Sequence, residues 1–274
     1  MAELLERVWK AGGGAGLPRR DRKPCAFRTY VPDRLADRVI RLDGDVAADV
    51  ADAEAAVLKL NLGSRALRDS EALARLLLRS ESVASSRIEG LEIGARRLLR
   101  AEAARVLGHA HTDVTADEVL GNIEAMSAAL EGLQEGQTIT IDLLLEAHRR
   151  LLAHTSLAAQ GGRTRTEQNW IGGSVFNPCS AAFVPPPCEL VDGLLEDLIT
   201  FCNQDSLPAI AQAAIAHAQF ETIHPFIDGN GRTGRVLIHL ILRRRGIAPR
   251  VLPPVSLVLA TWSAAYVDAL TATR

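Results

Sequence analysis

Twelve residues, His224-Pro225-Phe226-Ile227-Asp228-Gly229-Asn230-Gly231-Arg232-Thr233-Gly234-Arg235, constrain the fold of this chain more than any other stretch of it. An apolar pattern with helical spacing precedes them, carrying Ile210, Ala214, Ile215 and Phe220. A second pattern follows, with Val236, Leu237, Leu240 and Ile241 apolar and Gly246 as its stop. Pro225 disfavours the α conformation at His224, so the first helix ends there. The next helix covers Arg232 to Arg245. The stretch is therefore helix, tight loop, helix.

The loop also carries chemistry. Gly229 and Gly231 let backbone N–H groups approach an anion closely. The following helix N-terminus adds its dipole and its free N–H groups. Arg232 and Arg235 are three apart and reach the same region, where two guanidiniums suit a phosphate chain. Asp228 would be repelled by bare phosphates, but it fits as a ligand for Mg²⁺ held between a carboxylate and phosphate oxygens. Asn230 can donate to a phosphate oxygen. His224, uncharged at neutral pH, can take a proton from a hydroxyl attacking phosphorus, with charge on the leaving phosphates offset by a metal. A capped helix joint with a structural histidine would need far fewer of these groups. The stretch is not a Walker A loop, because it lacks G-x-x-x-x-G-K-[ST].

The rest of the chain sets bounds. With 274 residues it is long enough for one sizeable core. The formal charge of -2 gives no electrostatic reason to expect nucleic acid or an acidic membrane as partner. No apolar run approaches the ~20 residues that span a bilayer. Met1 to Lys10 lacks the apolar core of a signal peptide, so a cytoplasmic location is expected. Cys25, Cys179, Cys188 and Cys202 form no C-x-x-C pair and are expected to be reduced thiols.

Gly12-Gly13-Gly14 and the basic segment from Arg19 to Arg28 read as a mobile arm. Helical patterns cover Leu35 to Leu62, Ser70 to Val83 and Arg96 to Leu107, with Gly90 and Gly94 as breaks. His109 and His111 share a loop but lack a third metal ligand. Thr115-Ala116-Asp117-Glu118 is a capping box opening a helix that stops at Gly132. Ile141 to Ala153 is helical, with His148 and His154 expected on or near its surface. Gln160 to Pro187 is irregular, and Trp170 to Phe176 within it reads as two extended pieces around a Gly-Gly turn. Helices follow from Glu189 to Cys202, from the Ser206 cap onward, and from Ser256 to the end. The reading is one all-α domain with a small hairpin.

The stretch from His224 to Arg235 closely resembles the Fic (filamentation induced by cAMP) signature, H-P-F-x-[DE]-G-N-G-R-x-x-R, at every fixed position. The resemblance implies an all-α Fic-type helical bundle with a β-hairpin flap over residues 165–185. It divides the chain into an N-terminal helical part, 1–110, and a catalytic core, 111–274. Most Fic proteins transfer AMP from ATP to a Ser, Thr or Tyr hydroxyl of a protein and release pyrophosphate. By that resemblance His224 is the base and Asp228 holds Mg²⁺. Gly229, Asn230, Gly231, Arg232, Gly234 and Arg235 form the nucleotide site, with Arg235 directed at the γ-phosphate. Trp170, Ile171, Gly172 and Gly173 fall where the flap positions a target.

A second segment, Ser85-Ser86-Arg87-Ile88-Glu89-Gly90, is similar to the Fic inhibitory motif, [ST]-x-x-x-E-[GN]. There Ser85, Glu89 and Gly90 are the fixed positions, and the glutamate would pair with Arg235. The resemblance implies a self-inhibited adenylyltransferase with a protein partner, the chain itself included, and a homodimer as in many relatives. Two other functions use the same residues: removal of AMP by a water that Glu89 orients, or nucleotide sensing without turnover. The choice of AMP follows the family majority, since no adenine-binding signature is recognisable. Many relatives continue into a winged helix; the sequence stops at Arg274, so that module is either absent or cut off.

Overall fold

A computed structural model describes residues 2–10, 18, 21, 23–63, 71–109 and 112–274. Two strands, β1 (Glu3–Trp9) and β2 (Cys25–Val31), pair antiparallel with Glu3 opposite Val31 and Trp9 opposite Cys25. The first helices are α1 (Gly44–Gly63), α2 (Glu71–Ile88), α3 (Ala95–Val106), α4 (Val114–Glu131) and α5 (Ile141–Leu152). Then follow α6 (Cys188–Cys202), α7 (Ala209–Ile223), α8 (Asn230–Arg244), α9 (Val255–Thr261) and α10 (Ser263–Ala272). Among the described residues, no single helix is long and apolar enough to cross a membrane.

The core sits between α4, α5, α6, α7 and α8, where Met126, Leu144, Leu198, Phe201, Phe220 and Leu240 are buried. Helix α8 is buried almost all round, which places it at the centre rather than on the surface. Because α7 and α8 pack directly on each other, the loop between them is held at one end of the core.

Helix α2 docks by polar contacts. Its buried residues include Glu81, Ser82, Ser85 and Ser86. Asn122 of α4 donates to Ser82 O at 2.8 Å and to Ser86 Oγ at 3.0 Å. Glu81 Oε1 lies 2.8 Å from His239 Nε2 of α8 and accepts from the Ser256 N–H of α9, also at 2.8 Å. Such buried polar groups need fixed partners, so they set the register of α2 on the core.

Several expectations change. Helix α2 runs on through Ile88 instead of ending near Val83, with Ser82 and Ser86 donating to carbonyls four residues back. The pattern from Leu35 becomes helical only at Gly44, because the Leu35 and Ala36 amides are captured by the Asp197 carboxylate at 2.7 and 3.3 Å. Asp113, not Thr115, caps α4, accepting from the Ala116 N–H at 3.1 Å. Pro208 rather than Ser206 stands at the start of α7. Gly12, Gly13, Gly14, Arg19, Arg20, Ser70 and His111 lie outside the described residues, but Cys25 to Arg28 of the supposed arm are strand.

The hairpin expected at Trp170 to Phe176 is also different. Ile171 bridges Phe183, not a residue just beyond the glycines, and a 3₁₀ turn at Pro178–Ser180 lies between them. Gly172 and Gly173 have φ of 74° and 75° and turn the chain toward that 3₁₀ segment. A Cβ on Gly173 would meet the Ser180 backbone, so the site admits only glycine.

The β1–β2 hairpin braces this segment. Trp9 meets Trp170 edge-to-face at 5.6 Å, and the Tyr30 N–H donates to Val184 O at 2.9 Å. Cys25 and Cys179 are joined by a disulfide, which overturns the expectation of four reduced thiols; Cys188 and Cys202 are free. The bond closes a span of 154 residues, so it removes much freedom from the unfolded chain. Reduction, or Cys25→Ser, is expected to cost about 2–4 kcal/mol. The check is a lower denaturation midpoint on adding dithiothreitol, an effect absent in Cys25→Ser.

Candidate functional site

Helix α7 ends at Ile223, and His224 adopts a left-handed conformation with φ 49° and ψ 61°. It is the only non-glycine residue with positive φ among the described residues. Such a backbone persists only where its surroundings over-determine it. Here Arg165, buried at 5% exposure, supplies much of that restraint. Its Nε donates to His224 O at 2.9 Å, and its NH2 group donates to Pro186 O at 2.5 Å. Asn169 Nδ2 donates to Phe226 O at 3.0 Å, and the Arg165 N–H donates to Pro225 O at 2.8 Å. Burial lowers Arg165 to a pKa of about 10, so it remains charged at neutral pH. Sequence reading missed both residues. They lie 55 or more residues in sequence from His224, which both hold, and no local pattern marks them.

His148 is a third missed residue, and it is buried rather than on the surface. Its ring stacks on Phe226 with centroids 3.7 Å apart. Nδ1 accepts from the Gly162 N–H at 3.1 Å, and Nε2 donates to Asp228 O at 3.0 Å. Burial is the main cause that lowers its pKa to about 4, so this neutral tautomer is the form that holds the loop. The signal was present: His148 stands four residues from Leu144 and three from Leu151, on the apolar face of α5. His148→Ala is expected to cost about 2–4 kcal/mol, read as a lower urea midpoint with unchanged slope.

Asn230 closes the loop on itself. Its Oδ1 accepts from the Phe226 N–H and its Nδ2 donates to Phe226 O, both at 2.9 Å. Its side chain thus shapes the backbone instead of pointing at an incoming phosphate. Gly229 caps α8 with φ 76°, and a Cβ there would strike Leu151. Gly234 faces the other way, against Glu221 and His217 of α7. The first turn of α8 leaves N–H groups without helical partners at the mouth of the loop.

Five charged side chains surround that mouth. Arg232, 3% exposed, has NH1 3.5 Å from Glu118 Oε2 and NH2 3.6 Å from Asp228 Oδ2. Asp228 is half exposed; its Oδ1 accepts from the Gly229 N–H at 2.7 Å. One open carboxylate beside a phosphate cradle fits Mg²⁺, which takes most of its ligands from phosphate and water. Arg235 is fully buried. Its Nε donates to Ser85 Oγ at 2.8 Å, and NH2 donates to Ser85 O at 2.9 Å and to Glu89 Oε1 at 2.7 Å. The Glu89 carboxylate lies over Gly231 at the start of α8, where a Cβ would collide with it. It therefore sits where the helix dipole and Arg235 together favour an anion. Gly90, with φ 79°, turns the chain away directly after it.

The His224 side chain is 20% exposed. Burial lowers its pKa to about 4, so the ring is neutral at pH 7 and can accept a proton. A groove of about 430 Å³ runs beside it, lined by Asn169, Trp170, Gly172, Gly173, Val175 and Ile227. Ile171 does not line it, being paired with Phe183. A separate cavity of about 440 Å³ beside α7 and α10 has almost wholly apolar walls and does not suit phosphates.

Fold and site together define a helical protein with a glycine-rich, arginine-bearing loop between two core helices and a neutral histidine at its edge. Residues 138–242 match the Fic/DOC family, and residues 47–131 match the Fic/DOC family N-terminal region. The chain belongs to the Fic/DOC family. It is 38% identical over 146 residues to protein adenylyltransferase fic-1 of Caenorhabditis elegans, covering 50% of this chain and 26% of that relative. A Fic family protein from Desulfovibrio desulfuricans G20 superposes with a TM-score of 0.64 at 24% identity, covering 85% of this chain and 67% of that one. A solved fragment of C. elegans Fic-1 superposes with a TM-score of 0.58 at 25% identity, covering 83% and 66%. The chain spans about a quarter of the length of the curated relatives it matches.

Proposed function

We propose that this chain is a protein adenylyltransferase held idle by its own Glu89. The observation that carries the proposal is Arg235, a fully buried guanidinium at the α8 N-terminus whose anionic partner is a carboxylate of the same chain. A charge this buried needs an anion. With Glu89 in place, the γ-phosphate of ATP has no guanidinium to meet there, so the triphosphate cannot seat along the loop.

In the released state the α8 N-terminus, Arg232 and Arg235 bind the phosphates. A Ser, Thr or Tyr hydroxyl of the target enters along the groove by Trp170 and Gly173. His224 Nε2 takes the hydroxyl proton, the oxygen bonds to the α-phosphorus, and the bond to the β-phosphate breaks to release pyrophosphate. Asp228 would hold Mg²⁺, which when bound offsets charge on the phosphates. Arg165 and His148 keep the loop in shape through backbone contacts and touch no reacting atom.

The test is transfer of label from α-labelled ATP to protein in the parent and in Glu89→Gly. Label that follows Glu89→Gly and is absent with γ-labelled ATP supports adenylyl transfer. ATP binding with no covalent product in either protein overturns it.

A further inference from the structure

Two buried polar atoms beside the loop lack partners. His224 Nδ1 has no hydrogen bond, and neither does Glu221 Oε1. The other carboxylate oxygen, Glu221 Oε2, lies 3.8 Å from His224 Nδ1, and the Glu221 side chain is 8% exposed. A buried carboxylate with an idle oxygen is uncommon unless chemistry uses it. Its place is set by Gly234, where a Cβ would meet Glu221 Oε1 at 2.8 Å and His217 Nδ1 at 3.0 Å.

The surroundings complete the arrangement. Arg235 and Arg274 face Glu221 with positive charge, and Glu89 opposes them from across Arg235. Tyr266 stands near the same carboxylate. Arg165, Arg274 and Asp228 act on His224. Burial first, with Glu89 adding, pushes the Glu221 pKa up to about 7 against the pull of the arginines. A competing acceptor is the Glu221 main-chain carbonyl, which also favours a proton on the His224 ring and receives Arg274 NH2 at 3.4 Å.

We propose that Glu221 is the positioning residue of His224: its carboxylate takes the Nδ1–H, leaves the Nε2 lone pair facing the target hydroxyl, and holds the imidazolium that forms. This rests on the adenylyl-transfer reading above. The gap of 3.8 Å closes as the loop fills, since catalytic hydrogen bonds in empty sites are often long. No proton passes to Glu221. The hydroxyl proton stops at Nε2, and the electron pair of the broken P–O bond leaves with pyrophosphate. Below pH 7 a protonated Glu221 offers no charge to the imidazolium, so transfer rises with pH as Glu221 ionises.

Glu221→Gln keeps the shape and the main-chain carbonyl and removes only the charge. In a Glu89→Gly background, where loss of the Glu89 charge lowers the Glu221 pKa, it is expected to lower kcat about 10- to 100-fold, leave KM for ATP within about twofold, and abolish the rise that Glu221 ionisation gives. Glu221→Asp keeps the charge one methylene further back; it is expected to give an intermediate kcat and to keep the rise. ¹⁵N NMR of the histidine rings in the full chain, with His224 assigned through His224→Ala, reads the same contact without turnover. In the parent the His224 ring resonances are expected to shift through pH 7 as Glu221 ionises, and in Glu221→Gln that shift is lost. Parental kcat and pH profile in Glu221→Gln, or His224 resonances that do not respond to Glu221 ionisation in the parent, overturns the proposal. If Glu89→Gly alone transfers nothing, the adenylyl-transfer reading fails, and the NMR result still decides whether Glu221 holds His224.

Discussion

Glu89→Gly is expected to raise transfer of label from α-labelled ATP to protein by about 10- to 30-fold. Its carboxylate makes one charge-assisted bond to Arg235 at 2.7 Å. Bonds of that type are worth about 1.5–3 kcal/mol, and each 1.4 kcal/mol is tenfold in an equilibrium. Glu89 is 38% exposed, so solvent screens it and the lower half of that range applies. Arg235 stays in place in the variant, because Ser85 Oγ and Ser85 O still hold it from α2. The freed guanidinium NH2 group then meets a phosphate at the α8 N-terminus. Glu89 follows the last residue of α2, so glycine there costs the helix little. Glu89→Gln removes the charge but keeps the bulk over Gly231, and is expected to activate less. Equal, unmeasurable transfer in parent and Glu89→Gly sinks the restraint. Release of AMP from labelled protein that disappears with Glu89→Gly marks the reverse reaction instead.

The parts of this site that were legible in sequence are those written locally. Pro225, Gly229 and Gly231 dictate a tight loop between helices within a few residues, and Arg232 and Arg235 follow from helical spacing. Ser85, Glu89 and Gly90 were also legible, since the motif is a short run. What escaped depends on partners far along the chain. The β1–β2 pairing joins strands across a run of glycines, and the Cys25–Cys179 bond spans 154 residues. The late start of α1 reflects capture of Leu35 and Ala36 by Asp197, some 160 residues away. Asn230 was read as a phosphate donor, because its residue type allows it, but the Phe226 backbone four residues earlier takes both its groups. Residue type gives what a side chain can bond; only the fold decides which partner reaches it first.

His224→Ala in the Glu89→Gly background is expected to lower transfer about 10²- to 10⁴-fold, the range for loss of a general base. The loop should survive the change, because Arg165 and Asn169 hold the His224 carbonyl and not its ring. The phosphate cradle is likewise built from α8 and the arginines, so ATP affinity measured by calorimetry should remain within about twofold, which separates lost chemistry from lost binding. The pH profile adds a second constraint. With its pKa lowered to about 4 by burial, His224 is already neutral above pH 5. Loss of the base by protonation therefore falls below pH 5, and a rise at higher pH must belong to a different group, for which Glu221 is the nearest buried acid. A His224→Ala protein that transfers label at the parental rate removes the base from this site, and adenylyl transfer by the route set out here goes with it.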